Sequence, residues 1–393
     1  MDEVLRRDWK WWKDDASLED WKKQELVVSK CEDLLAECSK HEEPRGMIKT
    51  ASKFYFSDES LAPWASSKSR DIARDFIDKY EGDVLLHDTI VSELHTVLTE
   101  MKKRNLSTST TPSGYRKTSQ IKINEKLIGA SYTQTLDKMS EFKEMYVASI
   151  GYLNVLIHHF NIKDNWRIIL PLLLTFLDDT DLLVKREACL TLNLLCRRLS
   201  EEQSETNIIF QSQTLPLFRR ALQPLILAIP SMTSESKSVV ILPIAYDTVL
   251  RLYKLAIPNE LEYYTTLSSM LNDSILPSLG KCKDYVRLST ALCLVLEKFL
   301  DYCGEYAIVV AKPTVYTILT ILMDPYVAHA PPIVELFIDL VQRCIGQVPS
   351  QRRTKYLYDI KGCMGTLRRR MSDDLMSDFI GEKMETLIDS VNK

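Results

Sequence analysis

An all-α fold, in which antiparallel helix pairs stack as a HEAT-like α-solenoid (an α-α superhelix), is what this 393-residue sequence predicts. Three observations carry it. Apolar residues recur at spacings of three and four wherever a pattern is clear, the period of an amphipathic helix. Glycine is scarce, with 11 in the chain, and the apolar bursts are parted by acidic, Pro or Ser/Thr turns. Finally, the stretch from Trp166 to Leu199, WRIILPLLLTFLDDTDLLVKREACLTLNLLCRRL, reads as a complete helical hairpin. Its first helix carries Pro171, which bends or opens it. Asp178 and Asp179 mark the turn, Asp181 is placed to cap the second helix, and Val184, Ala188, Leu192, Leu195 and Leu199 share one face of it. A hairpin cannot bury two apolar faces alone, so similar hairpins must flank it.

Composition narrows the function. A formal net charge of −4 and a pI near 6.0 speak against nucleic acid as a principal ligand, because phosphate binding needs a concentrated basic face. The opening MDEVLRRDWKWWKDD puts charges where a signal peptide has its apolar segment, so a cytoplasmic and nuclear location is expected. The run Ile168 to Leu177 is about half of a bilayer span, so no membrane helix is predicted. Nine cysteines without a CxxC pair read as reduced, mostly buried thiols; Cys31 with Cys38 and Cys189 with Cys196 are each seven apart, on one helical face.

Taken in order, residues 1–104 form an amino-terminal helical region. Leu5, Trp9, Trp12 and Ala16 share a face, and Val27, Cys31, Leu34, Leu35 and Cys38 continue it. The tryptophans there dock a partner or pack on the chain's own helices, with membrane binding a third reading that the acidic residues mixed among Lys and Arg on the polar face disfavour. Periodicity lapses from His41 to Trp64, where Pro44-Arg45-Gly46 and Ser57 to Ser60 are loop signals. Helices resume over Ser69 to Tyr80 and Val84 to Lys103. Residues 105–120 are polar and Ser/Thr-rich and read as a flexible linker.

Residues 121–393 are the expected repeat region. Tyr132 to Phe160 leads into the central hairpin. Asn207 to Ile229, with Pro216 and Pro224, precedes a helix over Ser236 to Ile257 whose buried positions are Val240, Ile244, Val249 and Leu252. A second hairpin runs from Leu261 through Pro277 to Leu279, turns at Asp284, and continues with Leu288, Leu292, Val295 and Phe299 on one face. A third joins Pro313 to Met323 with Pro331 to Ile345 through Asp324-Pro325-Tyr326, burying Ile333, Phe337, Leu340, Val341 and Cys344. Gln351 to Arg370, with Tyr356, Ile360, Cys363 and Leu367 inward, and Asp373 to Val391 complete the chain. Pro171, Pro224 and Pro277 recur at roughly fifty-residue spacing, slightly longer than a HEAT period.

Nothing in the sequence points to catalysis, and no cofactor or metal is expected. Neither GxGxxG nor GxxxxGK[ST] occurs, no GxSxG elbow presents a serine, and no cysteine sits in a protease signature. His158 and His159 are adjacent, which on a helix turns them about 100° apart, and no HExxH surrounds them. The remaining candidate is a partner surface. Arg352, Arg353, Lys355, Lys361, Arg368, Arg369 and Arg370 lie on or beside one helix, near the aromatic turn Asp324-Pro325-Tyr326. Arginine and aromatic side chains dominate interface energetics; a solvated face complementing the helix macrodipole is the other reading.

Longer strings carry a resemblance. ILPLLLTFLDD (Ile169 to Asp179), FRRALQPLILAIPSMTSESKSVVILPIAYDTVLRLY (Phe218 to Tyr253), ILPSLGKC (Ile275 to Cys282) and ILMDPYVAHAPPIVELFIDLVQRCI (Ile321 to Ile345) resemble the Tti-two family over roughly residues 160–370. The most telling pieces are Pro230 to Thr233 and the Asp324-Pro325-Tyr326 turn, where Tyr stands for the more frequent Phe. No similarity is discerned in the first 130 residues. The resemblance implies a non-catalytic adaptor subunit of the Triple-T complex, binding Tti-one directly and Tel-two in the same assembly. Through it the chain would serve the phosphatidylinositol-3-kinase-related kinases with the Hsp-ninety machinery, with no nucleic acid or membrane partner. The alternatives are a HEAT-repeat scaffold of nuclear transport or a vesicle coat, and an enzyme with an unrecognised site between repeats.

Overall fold

The computed structural model describes residues 44–62, 65–108, 148–179, 181–201, 208–371 and 378–392, together with Ser29, Glu32 and Asp33. The described residues are predominantly helical, with no strand among them, and divide into two compact units, Met1–Glu205 and Thr206–Lys393. The Trp-rich first helix expected from the sequence, and most of the Ser/Thr-rich stretch, lie outside the described residues.

In the first unit, α1 (Pro44–Ser52) packs on α2 (Ser67–Ile77) and on α3 (Val84–Thr108), and α3 packs on α5 (Ile162–Leu177), which pairs with α6 (Leu182–Glu201). Helix α1 falls where the sequence indicated a loop. Proline suits the first turn of a helix, where its missing N–H costs nothing, and Ile48 and Ala51 then bury one face. Helix α4 (148–159) crosses α1 closely: a Cβ on Gly151 would lie 2.1 Å from the Ser52 carbonyl oxygen, so only glycine fits there. The chain beyond residue 147 thus returns to the helices that precede the Ser/Thr-rich stretch, and α3 itself continues to Thr108.

The central hairpin has the predicted form. Val184, Ala188, Leu192, Leu195 and Leu199 are all buried. The Asp179 carboxylate accepts the Asp181 N–H at 2.7 Å, and that of Asp181 accepts the Leu183 N–H at 3.0 Å, so the acidic turn satisfies amides left over where α6 begins.

The second unit opens with the single turn α7 (Ile208–Gln211) and then repeats one motif. Its hairpins are α8 (Leu215–Ile226) with α9 (Glu235–Ala256), α10–α11 (Glu260–Met270, Leu276–Lys281) with α12 (Val286–Cys303), and α13 (Ala307–Leu322) with α14 (Pro331–Gln347). The fourth pairs α16 (Leu357–Arg370), preceded by the short α15 (Ser350–Arg353), with α17 (Asp378–Asn392). The second helices pack in sequence, α9 on α12, α12 on α14 and α14 on α17; on the other side α11 packs on α13 and α13 on α16. Pro171, Pro224, Pro277 and Pro313 each lie in the first helix of a hairpin, none of them buried. Water can therefore take the carbonyls they orphan. Ahead of Pro277 the helix widens into a π turn, Leu271–Ile275, which absorbs the lost hydrogen bond.

Several boundaries differ from the sequence reading. In α9 the expected Val249 and Leu252 are buried, but in its first half Ile241, Leu242, Ala245 and Tyr246 are buried while Val240 and Ile244 are half-buried: there the inward arc is rotated by one residue. Helix α13 begins at Ala307 rather than Pro313, because a proline on the open side of a helix does not end it. Tyr356 is half-buried. By length and apolar composition Val286–Leu322 would suffice to cross a bilayer. It is however two helices, broken at Gly304–Tyr306, with half of its most apolar window buried inside the unit. It forms the core of stacked hairpins.

Candidate partner surface

The turn between α13 and α14 is held from both sides. Lys283, from the turn of the preceding hairpin, forms an ion pair with Asp324, and the other Asp324 oxygen accepts the Tyr326 N–H at 3.0 Å. These two donors hold the Asp324 carboxyl below the usual carboxylate range. From the following hairpin, Arg370 Nη1 donates to the Met323 carbonyl. The turn so fixed presents Pro325 and Tyr326 outward, Tyr326 being 77% exposed. Beside it an open groove is lined by Gly280, Lys283, Tyr316, Thr317, Thr320 and Ile321. The Tyr316 hydroxyl closes one side by donating to Asp359 Oδ2 at 2.8 Å.

Eight of the residues singled out in the sequence take different parts. Asp324 and Arg370 are brought together and fix the turn. Arg353 is a cap: its Nε donates to the Val348 carbonyl at 2.7 Å and its Nη2 to that of Gly346 at 3.1 Å, satisfying carbonyls at the end of α14. Its charge reversal would damage the helix end as well as any interface. Arg368 lies 3.7 Å from Glu385 on α17, both well exposed. Pro325, Tyr326, Arg352 and Arg369 remain on the surface.

A second cluster, of which the sequence drew attention only to His158 and His159, lies in the first unit. Glu187 is 1% exposed; its Oε1 accepts the Leu61 N–H at 3.0 Å and Arg186 Nη1 at 2.9 Å, while Arg186 Nη2 donates to the Glu59 carbonyl at 2.8 Å. Burial pushes the Glu187 carboxyl up against these donors. Nearby, Thr191 donates to Asn154 Oδ1 at 2.8 Å, and Asn154 Nδ2 to the Tyr55 carbonyl at 3.0 Å. The Tyr55 hydroxyl lies 2.8 Å from His158 Nδ1 and 3.1 Å from His159 Nε2, and those nitrogens are 3.3 Å apart. Adjacent histidines thus converge although their backbone positions diverge, because the side chains fold toward a common hydroxyl. Burial lowers both imidazoles' affinity for a proton. Among the described residues no three His, Cys, Asp or Glu side chains gather as a metal-ligand set. The seven described cysteines are buried, and burial raises the thiols of Cys293, Cys303 and Cys344 to about 12. They are poor nucleophiles.

With this geometry in view, comparison with known proteins decides the family. A family model, the Tti2 family, matches residues 49–329. The chain belongs to the Tti2 family. No curated protein and no solved structure matches it. The match begins far earlier than the strings from Ile169 onward had indicated and takes in the described helices of the first unit almost entirely. It ends just past Asp324-Pro325-Tyr326, leaving Arg352, Arg353 and Arg368 to Arg370 outside. Membership in this family supports a Triple-T subunit identity, in general terms a complex with Tti-one and Tel-two.

Proposed function

We propose that the chain is a non-catalytic scaffold subunit of the Triple-T complex. In this reading its hairpins form a HEAT-like solenoid that binds Tti-one directly and holds Tel-two in the same assembly. The complex supports the stability and maturation of phosphatidylinositol-3-kinase-related kinases with the Hsp-ninety machinery, in cytoplasm and nucleus. The family match over residues 49–329 carries this reading. The braced turn with an exposed aromatic at its tip supports Tti-one contact there, since a rigid, solvent-facing tyrosine offers large contact area at little entropic cost.

Reconstitution with purified Tti-one and Tel-two tests it. Tyr326→Ala combined with Arg352→Glu is expected to weaken Tti-one binding with the melting temperature unchanged, as neither side chain is buried. Full binding by this variant would move the contact off the turn. Absence of any complex with the parent chain would end the Triple-T reading itself.

A further inference from the structure

The second unit distributes its charges unevenly. Along the second helices every neighbouring pair is bridged: Lys298 Nζ lies 3.5 Å from Asp247, Arg343 meets Asp301, and Lys383 Nζ lies 2.6 Å from Asp339 and 2.8 Å from Glu335. Residues 350–371 differ. They hold seven Lys and Arg against one carboxylate, Asp359, and that one already accepts the Tyr316 hydroxyl. The partner helix α17 is opposite in sign, with four acidic residues against Lys383. Helix-end electrostatics account for Arg368 to Arg370, and capping accounts for Arg353. Neither accounts for Lys361, in the middle of α16, which has no carboxylate within ion-pair distance among the described residues.

One exposed stripe of α16 brings Lys361 together with an exposed aromatic, two glycines and Arg369. Tyr358 is 84% exposed. Lys361, Gly362, Gly365 and Arg369 follow it at i+3, i+4, i+7 and i+11, on one face. The Arg369 guanidinium lies back along the helix, Nε donating to the Gly365 carbonyl at 3.2 Å and Nη2 directed to Thr366 Oγ1 at 3.4 Å, so its position is set before any partner arrives. Two glycines inside a helix weaken it relative to alanine. A Cβ at Gly362 or Gly365 would meet nothing within 4 Å, so no packing among the described residues calls for them.

We propose that this face, Tyr358, Lys361, Gly362, Gly365 and Arg369, docks an acidic helical segment of a partner protein. The charge decides the occupant's sign: Lys361 and Arg369, neither paired with a carboxylate among the described residues, complement carboxylates spaced one to three helical turns apart. The glycines decide its form, by letting a helix backbone approach closely, and Tyr358 supplies the aromatic contact. A nucleic acid would set one phosphate charge about every 1.7 Å of duplex against this sparse stripe, a poorer fit. The site lies beyond the family match and does not depend on the turn assigned to Tti-one.

The test uses the full chain and no Triple-T subunit. Fluorescence anisotropy measures binding of a synthetic helical peptide with Glu at i, i+4 spacing, of its Gln counterpart, and of oligothymidylate. The Glu peptide is expected to bind and the Gln peptide not to; Lys361→Glu with Arg369→Glu should weaken binding at least about tenfold. Gly362→Ala with Gly365→Ala should raise the melting temperature yet weaken binding, which separates docking from folding. Glu-peptide binding that is absent in the parent, or unchanged in the charge-reversed variant, would overturn the proposal. Tighter binding of oligothymidylate would reassign the face to nucleic acid.

Discussion

In the first unit a coil, Lys53 to Ala62, is clamped by polar side chains from neighbouring helices. Arg186 and Glu187 hold its far end, Asn154 its near end, and Arg74 donates to the Phe56 carbonyl at 2.8 Å. Among the described residues of the second unit coil is confined to turns, and the hairpins are joined by layers of Leu, Ile, Val and Phe with ion pairs at the rim. The comparison teaches that one helical chain uses two kinds of glue. Repetition suffices where each helix meets another helix, whereas a buried coil exposes backbone donors and acceptors that only specific polar side chains can satisfy.

The sharpest way to break this contrast is at Glu187. Glu187→Ala leaves Arg186 buried without its carboxylate and the Leu61 N–H unmet, and removing one partner of a buried pair costs about 3–5 kcal/mol. Hydrogen exchange should show the first unit losing protection while the second keeps its own; equal loss in both would refute the contrast. Glu187→Gln, which retains an acceptor for Leu61, is expected to fall between.

Next in size, Leu192→Ala and Leu292→Ala each remove a fully buried side chain, one per unit. Each should cost about 2–5 kcal/mol by denaturant unfolding. If either were neutral, its hairpin would not be a packed core.

Smaller is a pH effect. Burial lowers the proton affinity of His158 and His159 in the folded state, so the unfolded chain binds more protons and stability falls as pH drops below the unfolded value of about 6.5. Glu187 runs oppositely: burial raises its carboxyl, so its ionisation costs stability as pH rises above the unfolded value near 4.5. The difference in melting between the parent and His158→Asn with His159→Asn should therefore shrink as pH falls from 7 to 5, since the variant lacks the imidazoles' penalty. A pH-independent difference would remove the histidines from this role. Smallest is the C-terminal cap: Arg353→Ala should cost about 1 kcal/mol through its lost hydrogen bonds, while exposed Arg352→Ala stays within about 0.5 kcal/mol.

What the sequence made legible follows the same division. The Val184 to Leu199 and Leu288 to Phe299 faces were readable because apolar spacing reports helix–helix burial directly. The error in α9 came from the breadth of that signal: Val240, Ile241, Ile244 and Ala245 are all apolar, and spacing alone does not say which arc faces inward. The polar clamp was not legible, because Arg186 and Glu187 look like an ordinary solvated pair until a coil from more than a hundred residues earlier is laid over them. At the partner surface the residue types were visible and their roles were not. Arg353 and Arg352 are neighbours in sequence, yet one caps a helix and the other faces solvent.

The functional reading is tested most directly by affinity purification of the tagged full chain from its own cells, followed by quantitative mass spectrometry. Tti-one and Tel-two are expected in stoichiometric amounts, with phosphatidylinositol-3-kinase-related kinases and Hsp-ninety components below stoichiometry. Recovery of the chain with transport or coat subunits instead, and without Tti-one, would contradict it.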